Sequence, residues 1–319
     1  MKRLGLVVMA AVGCGGSIHP GPPATDRPIG EDLLALLPSG ADAVVDVDVA
    51  QLDGWPTARR LLALLPPDGR ARLGQLGDDP LGQVQALVVA ISRAGTAQSE
   101  TTMIARGALD WDRLRAATSG AVDVDYHSTA VVDGDSESMA RITPTVLAFG
   151  SRAAVRRVCD VAHKEDDSLR TSTVDKPLRE ALRHAPTAKL GRPAILAALV
   201  PTQPLKEKLR GDNWQTASDL DWAALSLAVG DGFDVGIIGG THGPVEAATL
   251  QKTMKTRAGE LKTQATVRLL GLQPFVEPFV AVARDNEVHV AYRLPALRVD
   301  QLLTRLEQMQ GIGRKAARQ

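Results

Sequence analysis

The sequence predicts an α+β protein built as two similar lobes, each a mainly antiparallel sheet with helices packed on one face. Three observations predict this class. Apolar and polar residues alternate in several short segments, which is typical of strands with one face in water. Pairs of these segments are joined by short polar turns, as in hairpins. The order of strands and helices in the first half of the chain is repeated in the second half.

The first half is predicted to contain three strands, a hairpin and three helices. The strands are expected at 43–49, 84–92 and 101–109, and the hairpin at 129–149. The first of them, AVVDVDV, alternates apolar and acidic side chains, and DGDSES provides the turn of the hairpin. The helices are expected at 51–66, at 110–118 with Asp110 as N-cap, and after the N-cap Ser151.

The second half is predicted to repeat this order. A strand at 192–201 and a helix near 204–210 precede a hairpin at 224–240, whose turn is Asp231-Gly232. A helix at 244–262, a hairpin at 279–294 and a helix at 296–309 follow. Both halves then have the order strand–helix–strand–strand–helix–strand–strand–helix. A connector with one helix at 177–184 lies between them.

The start of the chain has the layout of a secretory signal. Lys2 and Arg3 form a positive head, and residues 4–12 are uncharged and largely apolar. This run is shorter than the roughly 20 residues that a transmembrane helix needs. The sequence Ala11-Val12-Gly13-Cys14 follows and resembles the lipobox of bacterial lipoprotein precursors.

This resemblance implies that the Cys14 thiol receives a diacylglyceryl group, that the signal is cleaved before Cys14, and that the new N-terminus is acylated, with palmitate as a typical chain. Gly15 after the cysteine resembles the class of lipoproteins directed to the outer membrane. We therefore expect a lipid-anchored envelope protein that faces the periplasm or the cell surface. The alternatives are a cleaved secretory signal with a chance cysteine, or a buried first strand.

The predicted division of the chain follows from these patterns. The segments are a signal peptide at 1–13, the lipidated cysteine with a Gly/Pro-rich tether at 14–30, lobes at 31–185 and 186–310, and a basic tail at 311–319. The tail is interpreted as frayed, with contact to an anionic membrane or cell-wall polymer as the alternative. The order of elements resembles that of uncharacterised bacterial secreted and lipoprotein families, which implies no activity.

Composition argues against nucleic-acid binding. The chain has 37 basic and 37 acidic residues, and loss of Lys2 and Arg3 with the signal leaves 35 against 37. A net charge of about −2 does not favour contact with phosphates. Aromatic residues make up 3% of the chain, which leaves little for a base-stacking platform.

Cysteine usage limits redox chemistry. If Cys14 is lipidated, Cys159 is the remaining thiol and no intramolecular disulfide can form. Cys159 lies on the apolar face of its predicted helix and is interpreted as a small buried hydrophobe. The alternative is a nucleophile with His163, one helical turn further on, as its base.

No intact G-x-S-x-G, H-E-x-x-H, C-x-x-C or Walker A motif occurs in the sequence. The turn DGDSES (133–138) begins like a calcium loop, but Ser138 and Pro144 stand where an EF-hand requires Gly and Glu. HKEDD (163–167) is interpreted as a solvated helix end. GGTHGP (239–244) is interpreted as a strand-to-helix turn, with an anion site as the alternative.

The remaining histidines are interpreted as solvated or surface residues without partners that the sequence identifies, namely His19, His127, His184 and His289. We therefore expect a non-catalytic binding or scaffolding module with no cofactor or metal, held at the membrane through Cys14, with an envelope protein as candidate partner. One alternative is an envelope hydrolase that uses Asp46, Asp48, Asp234 and His242. Another is a structural subunit of an envelope assembly.

Overall fold

The computed structural model describes residues 31–63, 79–187, 190–211, 218–269 and 271–316. The strands are β1 (Ala43–Asp48), β2 (Val84–Ser92), β3 (Glu100–Gly107), β4 (Val122–Tyr126), β5 (Thr129–Asp133), β6 (Ser138–Thr143), β7 (Val146–Gly150), β8 (Ile195–Leu199), β9 (Leu220–Gly230), β10 (Gly232–Thr241), β11 (Val280–Arg284) and β12 (Glu287–Pro295). The helices are α1 (Glu31–Leu34), α2 (Val49–Asp53), α3 (Ala58–Ala63), α4 (Pro80–Gln83), α5 (Trp111–Ala117), α6 (Arg152–Ala162), α7 (Lys176–His184), α8 (Gln203–Gly211), α9 (Pro244–Thr263), α10 (Ala265–Leu269), α11 (Gln273–Val276) and α12 (Ala296–Ala316).

The strands form one 12-stranded sheet in the order β11-β12-β10-β9-β8-β1-β2-β3-β7-β6-β5-β4. Its pairings are antiparallel. The predicted α+β class with a mainly antiparallel sheet is confirmed.

The two predicted lobes are two contiguous halves of this sheet. β1 and β8 pair antiparallel at its centre, where Val45 lies opposite Ala197. Read outward from this pair, the order β1-β2-β3-β7-β6 in the first half corresponds to β8-β9-β10-β12-β11 in the second. The halves join because β1 and β8 would otherwise present unpaired N–H and C=O groups along an edge.

Helices cover both faces of the first half, whereas the sequence analysis expected one face. Val88 and Ile104 point to one face, where they pack with Val158 of α6. Met139 of β6 packs on the opposite face with Leu114 of α5. The physical reason is that several of these strands carry apolar residues at both alternating positions, so both faces need cover.

In the second half, the long helices α9 and α12 pack on one face. Leu294 of β12 is fully buried against Val299 and Leu303 of α12. Val288, on the same side of β12, packs against Leu250 of α9.

Two predicted elements are divided in the structure. The expected hairpin at 129–149 contains β5, β6 and β7, because a second turn at Pro144 follows the predicted DGDSES turn. Pro144 cannot donate a ladder hydrogen bond, so it ends β6. The expected helix at 51–66 is broken between α2 and α3, since Gly54 and Pro56 disfavour a continuous helix there. β4, which pairs with β5, was not predicted.

Several predictions fall wholly or partly outside the described residues. These are the signal peptide and tether at 1–30, the end of the helix at 51–66 and the last residues, 317–319. Of the predicted basic tail at 311–319, residues 311–316 continue α12, which ends at Ala316.

The connector between the halves folds back on the segment that leads into β1. Ser39 N–H donates to the Asp167 carbonyl at 3.0 Å, and Leu169 N–H donates to the Leu37 carbonyl at 2.8 Å. The predicted helix of the connector is α7. The connector is therefore fixed to the first half by backbone hydrogen bonds.

Candidate functional site

A histidine stands at the tip of the β4–β5 hairpin. Tyr126 and Thr129 are the last paired residues, so His127 and Ser128 form a two-residue loop. Both have positive φ angles, 50° and 59°, as a type I′ turn requires. Ser128 N–H donates to Asp125 Oδ1 at 2.9 Å, which stabilises this turn without glycine.

Two carboxylates are brought together where α6 ends. Glu165 N–H donates to the Asp160 carbonyl at 2.8 Å and Lys164 N–H to the Val161 carbonyl at 3.0 Å, the bonding pattern of a Schellman motif. Lys164 takes the left-handed position with φ 63°. This motif places the residues at 160 and 165 side by side, and here both are acids.

The hairpin tip and this helix end meet. His127 Nε2 lies 3.4 Å from Asp160 Oδ1 and 3.2 Å from Glu165 Oε2. The Tyr126 hydroxyl donates to Asp160 Oδ1 at 2.9 Å. We call His127, Asp160 and Glu165 the His127 cluster. Their ligand atoms all lie within 4.8 Å of one another.

The His127 cluster is partly open to solvent and has a second imidazole beside it. The side chains of His127, Asp160 and Glu165 are 33%, 23% and 53% exposed. The ring of His163 lies 5.6 Å from that of His127, and its Nε2 is 3.1 Å from Thr129 Oγ1. The cluster therefore joins nitrogen and oxygen donors that can hold a proton or a metal ion.

The hydrogen bond from Tyr126 to Asp160 raises the pKa of the Tyr126 hydroxyl, and burial acts in the same direction. The Arg156 guanidinium lies 5.4 Å from the centre of the Tyr126 ring. Tyr126 therefore remains a neutral donor that fixes the Asp160 carboxylate.

Sequence reasoning missed this cluster. His127 had no partner that the sequence identified, and HKEDD was interpreted as a solvated helix end. His127 and Asp160 are 33 positions apart and belong to elements that meet through folding alone. The spacing of the two acids around the end of a helix could have predicted that they meet. The position where this helix ends was hard to recognise, because Lys164 occupies the left-handed position that is usually a glycine.

The four residues of the hydrolase alternative are not brought together. β1, which carries Asp46 and ends at Asp48, is separated from β10 by β8 and β9, or about 14 Å at the usual strand spacing. Asp234 and His242 are eight residues apart along β10 and its end, or about 26 Å. Asp48 caps α2 by accepting the Gln51 N–H at 3.0 Å.

His242 in GGTHGP contacts a carboxylate at the surface. Its Nδ1 lies 2.5 Å from Asp221 Oδ2, and Lys206 Nζ approaches the other oxygen of Asp221 at 3.6 Å. An acid therefore stands beside the start of α9, which does not favour the anion site considered as an alternative.

Cys159 is fully buried, as predicted. Burial raises the pKa of its thiol to about 11, with the neighbouring Asp160 carboxylate adding to the effect. A nucleophilic thiol needs the opposite shift. The imidazole of His163, its proposed base, instead contacts Thr129 Oγ1.

Two arginine side chains contact the first acid of the DGDSES turn. Asp133 is 4% exposed, accepts the Ser138 hydroxyl at 2.9 Å, and contacts Arg152 and Arg156 at 3.0 and 3.1 Å. Its carboxylate is therefore engaged in ion pairs, which do not favour the calcium site that the turn suggested.

One face of the sheet centre carries a row of apolar side chains that remain half-buried. Val45 lies opposite Val89 on β2 and Ala197 on β8, and Val89 lies opposite Met103 on β3. All four are half-buried. We call Val45, Val89, Met103 and Ala197 the central apolar strip.

Within the described ranges, no helix combines the length and the apolar character needed to cross a membrane.

Comparisons with known proteins give a distant structural likeness. No family model matches the chain, and no curated protein matches it. Three similar solved structures are crystal forms III, I and IV of TP0453. Form III has a TM-score of 0.49 at 10% identity and covers 90% of this chain and 99% of its own. Form I has a TM-score of 0.45 at 11% identity, covering 91% of this chain and 98% of its own. Form IV has a TM-score of 0.47 at 9% identity, covering 90% of this chain and 97% of its own. Likeness of this size does not indicate a shared function.

Proposed function

We propose that this chain is a lipid-anchored protein of the bacterial cell envelope and that its folded body is a non-catalytic binding or scaffolding module. The observation that carries the proposal is Cys14, placed directly behind the positive head and the apolar run at residues 4–12. Each buried CH₂ of an acyl chain contributes about 0.8 kcal/mol, and stable anchoring takes two chains or more. A triacylated cysteine satisfies this requirement.

The distance between anchor and body limits where the module works. The described body begins at residue 31, so 17 residue steps separate it from Cys14. A fully extended chain of that length reaches about 60 Å at most. The segment between them is rich in Gly and Pro, a composition typical of tethers.

Two observations support binding over catalysis. The candidate hydrolytic residues lie on different parts of the sheet, so they assemble no site together. The central apolar strip is a row of half-buried apolar side chains on adjacent strands, and apolar rows that reach the surface can mark interaction sites. A protein partner from the envelope, presenting an apolar face, fits such a strip.

The anchor is tested by labelling cells with radioactive palmitate. We expect label in the wild-type protein and in the control Cys159→Ala, and none in Cys14→Ser. Absence of label from the wild type, or its persistence in Cys14→Ser, would contradict the anchor.

The destination of the anchored protein is tested by changing Gly15. In lipoproteins that resemble this chain, aspartate after the cysteine favours retention at the inner membrane. We expect Gly15→Asp to move the protein from outer-membrane to inner-membrane fractions, with Ser17→Asp as the control that stays. An unchanged distribution of Gly15→Asp would remove the support for outer-membrane localisation.

The central apolar strip is tested with a dye whose fluorescence rises on apolar surfaces, 1-anilinonaphthalene-8-sulfonate. We expect the native protein to enhance the signal and Met103→Glu to reduce it. Val122→Glu is the matched control, since Val122 is 60% exposed and lies on the distant edge strand β4. A native protein that leaves the dye dark would contradict an accessible strip.

A further inference from the structure

The geometry points to a metal site: we propose that His127, Asp160 and Glu165 bind a divalent transition ion of the zinc class. The site lies on the first half of the sheet, at the β4–β5 hairpin tip and the C-terminal end of α6, and is separate from the central apolar strip.

The two spacings from His127 to the carboxylates fit such an ion, and the two carboxylate oxygens lie within 4.8 Å of each other. Zinc binds histidine nitrogen at about 2.0–2.1 Å and carboxylate oxygen at about 2.0–2.2 Å in tetrahedral geometry, which places ligand atoms about 3.3–3.5 Å apart. His127 Nε2 is 3.4 Å from Asp160 Oδ1 and 3.2 Å from Glu165 Oε2. N–H···O hydrogen bonds span about 2.7–3.2 Å, so the 3.4 Å spacing to Asp160 is longer than such a bond, whereas the 3.2 Å spacing to Glu165 fits either an ion or a hydrogen bond.

The two carboxylates of the cluster also favour binding of a cation. A Schellman motif usually places two apolar side chains in contact at the positions that Asp160 and Glu165 occupy. Two carboxylates there repel each other unless a positive charge lies between them. The nearby Arg156 contacts Asp133 at 3.1 Å and lies over Tyr126, so its charge is shared with another acid. An ion held by His127 and both carboxylates neutralises the pair directly.

The donor set selects the class of ion. Calcium and magnesium prefer six or more oxygen ligands, whereas imidazole nitrogen favours zinc and its neighbours. Three protein ligands leave a fourth position for water or for His163, whose ring is 5.6 Å from that of His127. Tyr126 holds Asp160 from outside the cluster, the role that orienting partners have at metal sites.

The experiment is calorimetric titration of the metal-stripped full chain with zinc chloride at neutral pH. We expect one zinc per chain and, in His127→Ala, affinity weakened by more than about 100-fold, since loss of an outer orienting partner alone costs about 10–100-fold. His242→Ala is the matched control, because His242 is also an exposed histidine beside a carboxylate. Its affinity should equal that of the wild type.

Glu165→Gln is the second variant, since its exposed side chain can be changed without touching the core. We expect weaker zinc binding, with a metal-free protein at least as stable to heat as the wild type, since the change removes one of the two like charges. Absence of zinc binding, binding that His127→Ala leaves unchanged, or calcium binding as tight as zinc binding would each overturn the proposal. In the first case His127 contacts the two carboxylates without a metal ion.

Discussion

Asp175 joins the connector to the first half, and its replacement by alanine tests that junction. The residue is 2% exposed, and its carboxylate accepts the Gly40 N–H at 3.0 and 3.2 Å from its two oxygens. The Ala41 N–H and the Ser172 hydroxyl also hydrogen-bond to it, with Arg179 nearby. Asp175→Ala therefore removes the acceptor that fixes the segment leading into β1.

The size of the effect follows from the two backbone donors. Leaving a buried donor unsatisfied costs about 1–3 kcal/mol, which applies to the Ala41 N–H because Ala41 is buried. Gly40 is exposed, so its N–H can donate to water instead. Relief from burying a carboxylate offsets part of the cost, and we expect Asp175→Ala to lose about 2 kcal/mol of unfolding free energy. Asp175→Asn keeps one acceptor oxygen and should lose about 1 kcal/mol.

The effect also depends on pH. Burial is the largest influence on Asp175 and raises its pKa above the usual 3.8, against the hydrogen bonds and Arg179, which lower it. The folded state then binds the proton more tightly than the unfolded state. The contribution of Asp175 to the free energy of unfolding is therefore greatest below the pKa of the unfolded state, and it is lost as the pH rises through the pKa of the folded state.

Urea unfolding of wild type and both variants, in steps from pH 4 to pH 7, measures both effects. The deficit of Asp175→Ala should be largest at the acid end and shrink as the pH rises. A deficit below about 0.5 kcal/mol, the scatter of ordinary surface substitutions, would refute the junction. A deficit that grows with pH would refute the direction of the pKa shift.

Three further predictions concern single side chains. Cys159 should resist iodoacetamide in the native protein at pH 8 and react once urea unfolds it; mass spectrometry that finds native alkylation would contradict its burial and raised pKa. Gly232→Ala should cost several kcal/mol on thermal unfolding, because φ is 125° and a Cβ would lie 2.0 Å from a carbonyl oxygen of β12. The control Gly259→Ala should instead stabilise α9 by up to about 1 kcal/mol, because a Cβ there meets no atom within 4 Å. Arg60→Ala removes the ion pairs with Asp300 at 3.0 Å and Glu307 at 2.9 Å that link α3 to α12. The change should cost about 0.2–1 kcal/mol, and less in 1 M salt; equal costs at both salt concentrations would argue against an electrostatic link.

Local sequence chemistry predicted most of the elements. Asp110 and Ser151 were recognised as caps, and they accept the N–H groups of Arg113 and Ala154 at 3.0 and 3.1 Å. The hairpin of β9 and β10 was also predicted, but Gly232 pairs with Gly230, so Asp231 alone connects the strands where an Asp231-Gly232 turn was expected. β1 was predicted from its period-two pattern, but Asp46 lies on the buried face with Val44 and not on a face in water. These features concern residues within a few positions of one another.

Features set by distant contacts were not predictable from the pattern. The β1–β8 pairing joins residues about 150 positions apart, and nothing in either strand alone specifies the other. Which face of the sheet each helix packs against depends likewise on contacts between distant parts of the chain. The His127 cluster depends on positive φ angles at Lys164 and at the two turn residues His127 and Ser128. Residues of these types rarely adopt positive φ angles, so the sequence does not predict them.

Anchoring of this body to the envelope through lipid on Cys14 is tested most directly by the intact mass of the mature protein. The protein is expressed with its own signal in a host that processes lipoproteins and is then extracted with detergent. We predict a mass that corresponds to cleavage before Cys14 with the added mass of the acyl chains. The mass of the unprocessed chain, or of a cleaved chain without lipid, would contradict the anchor.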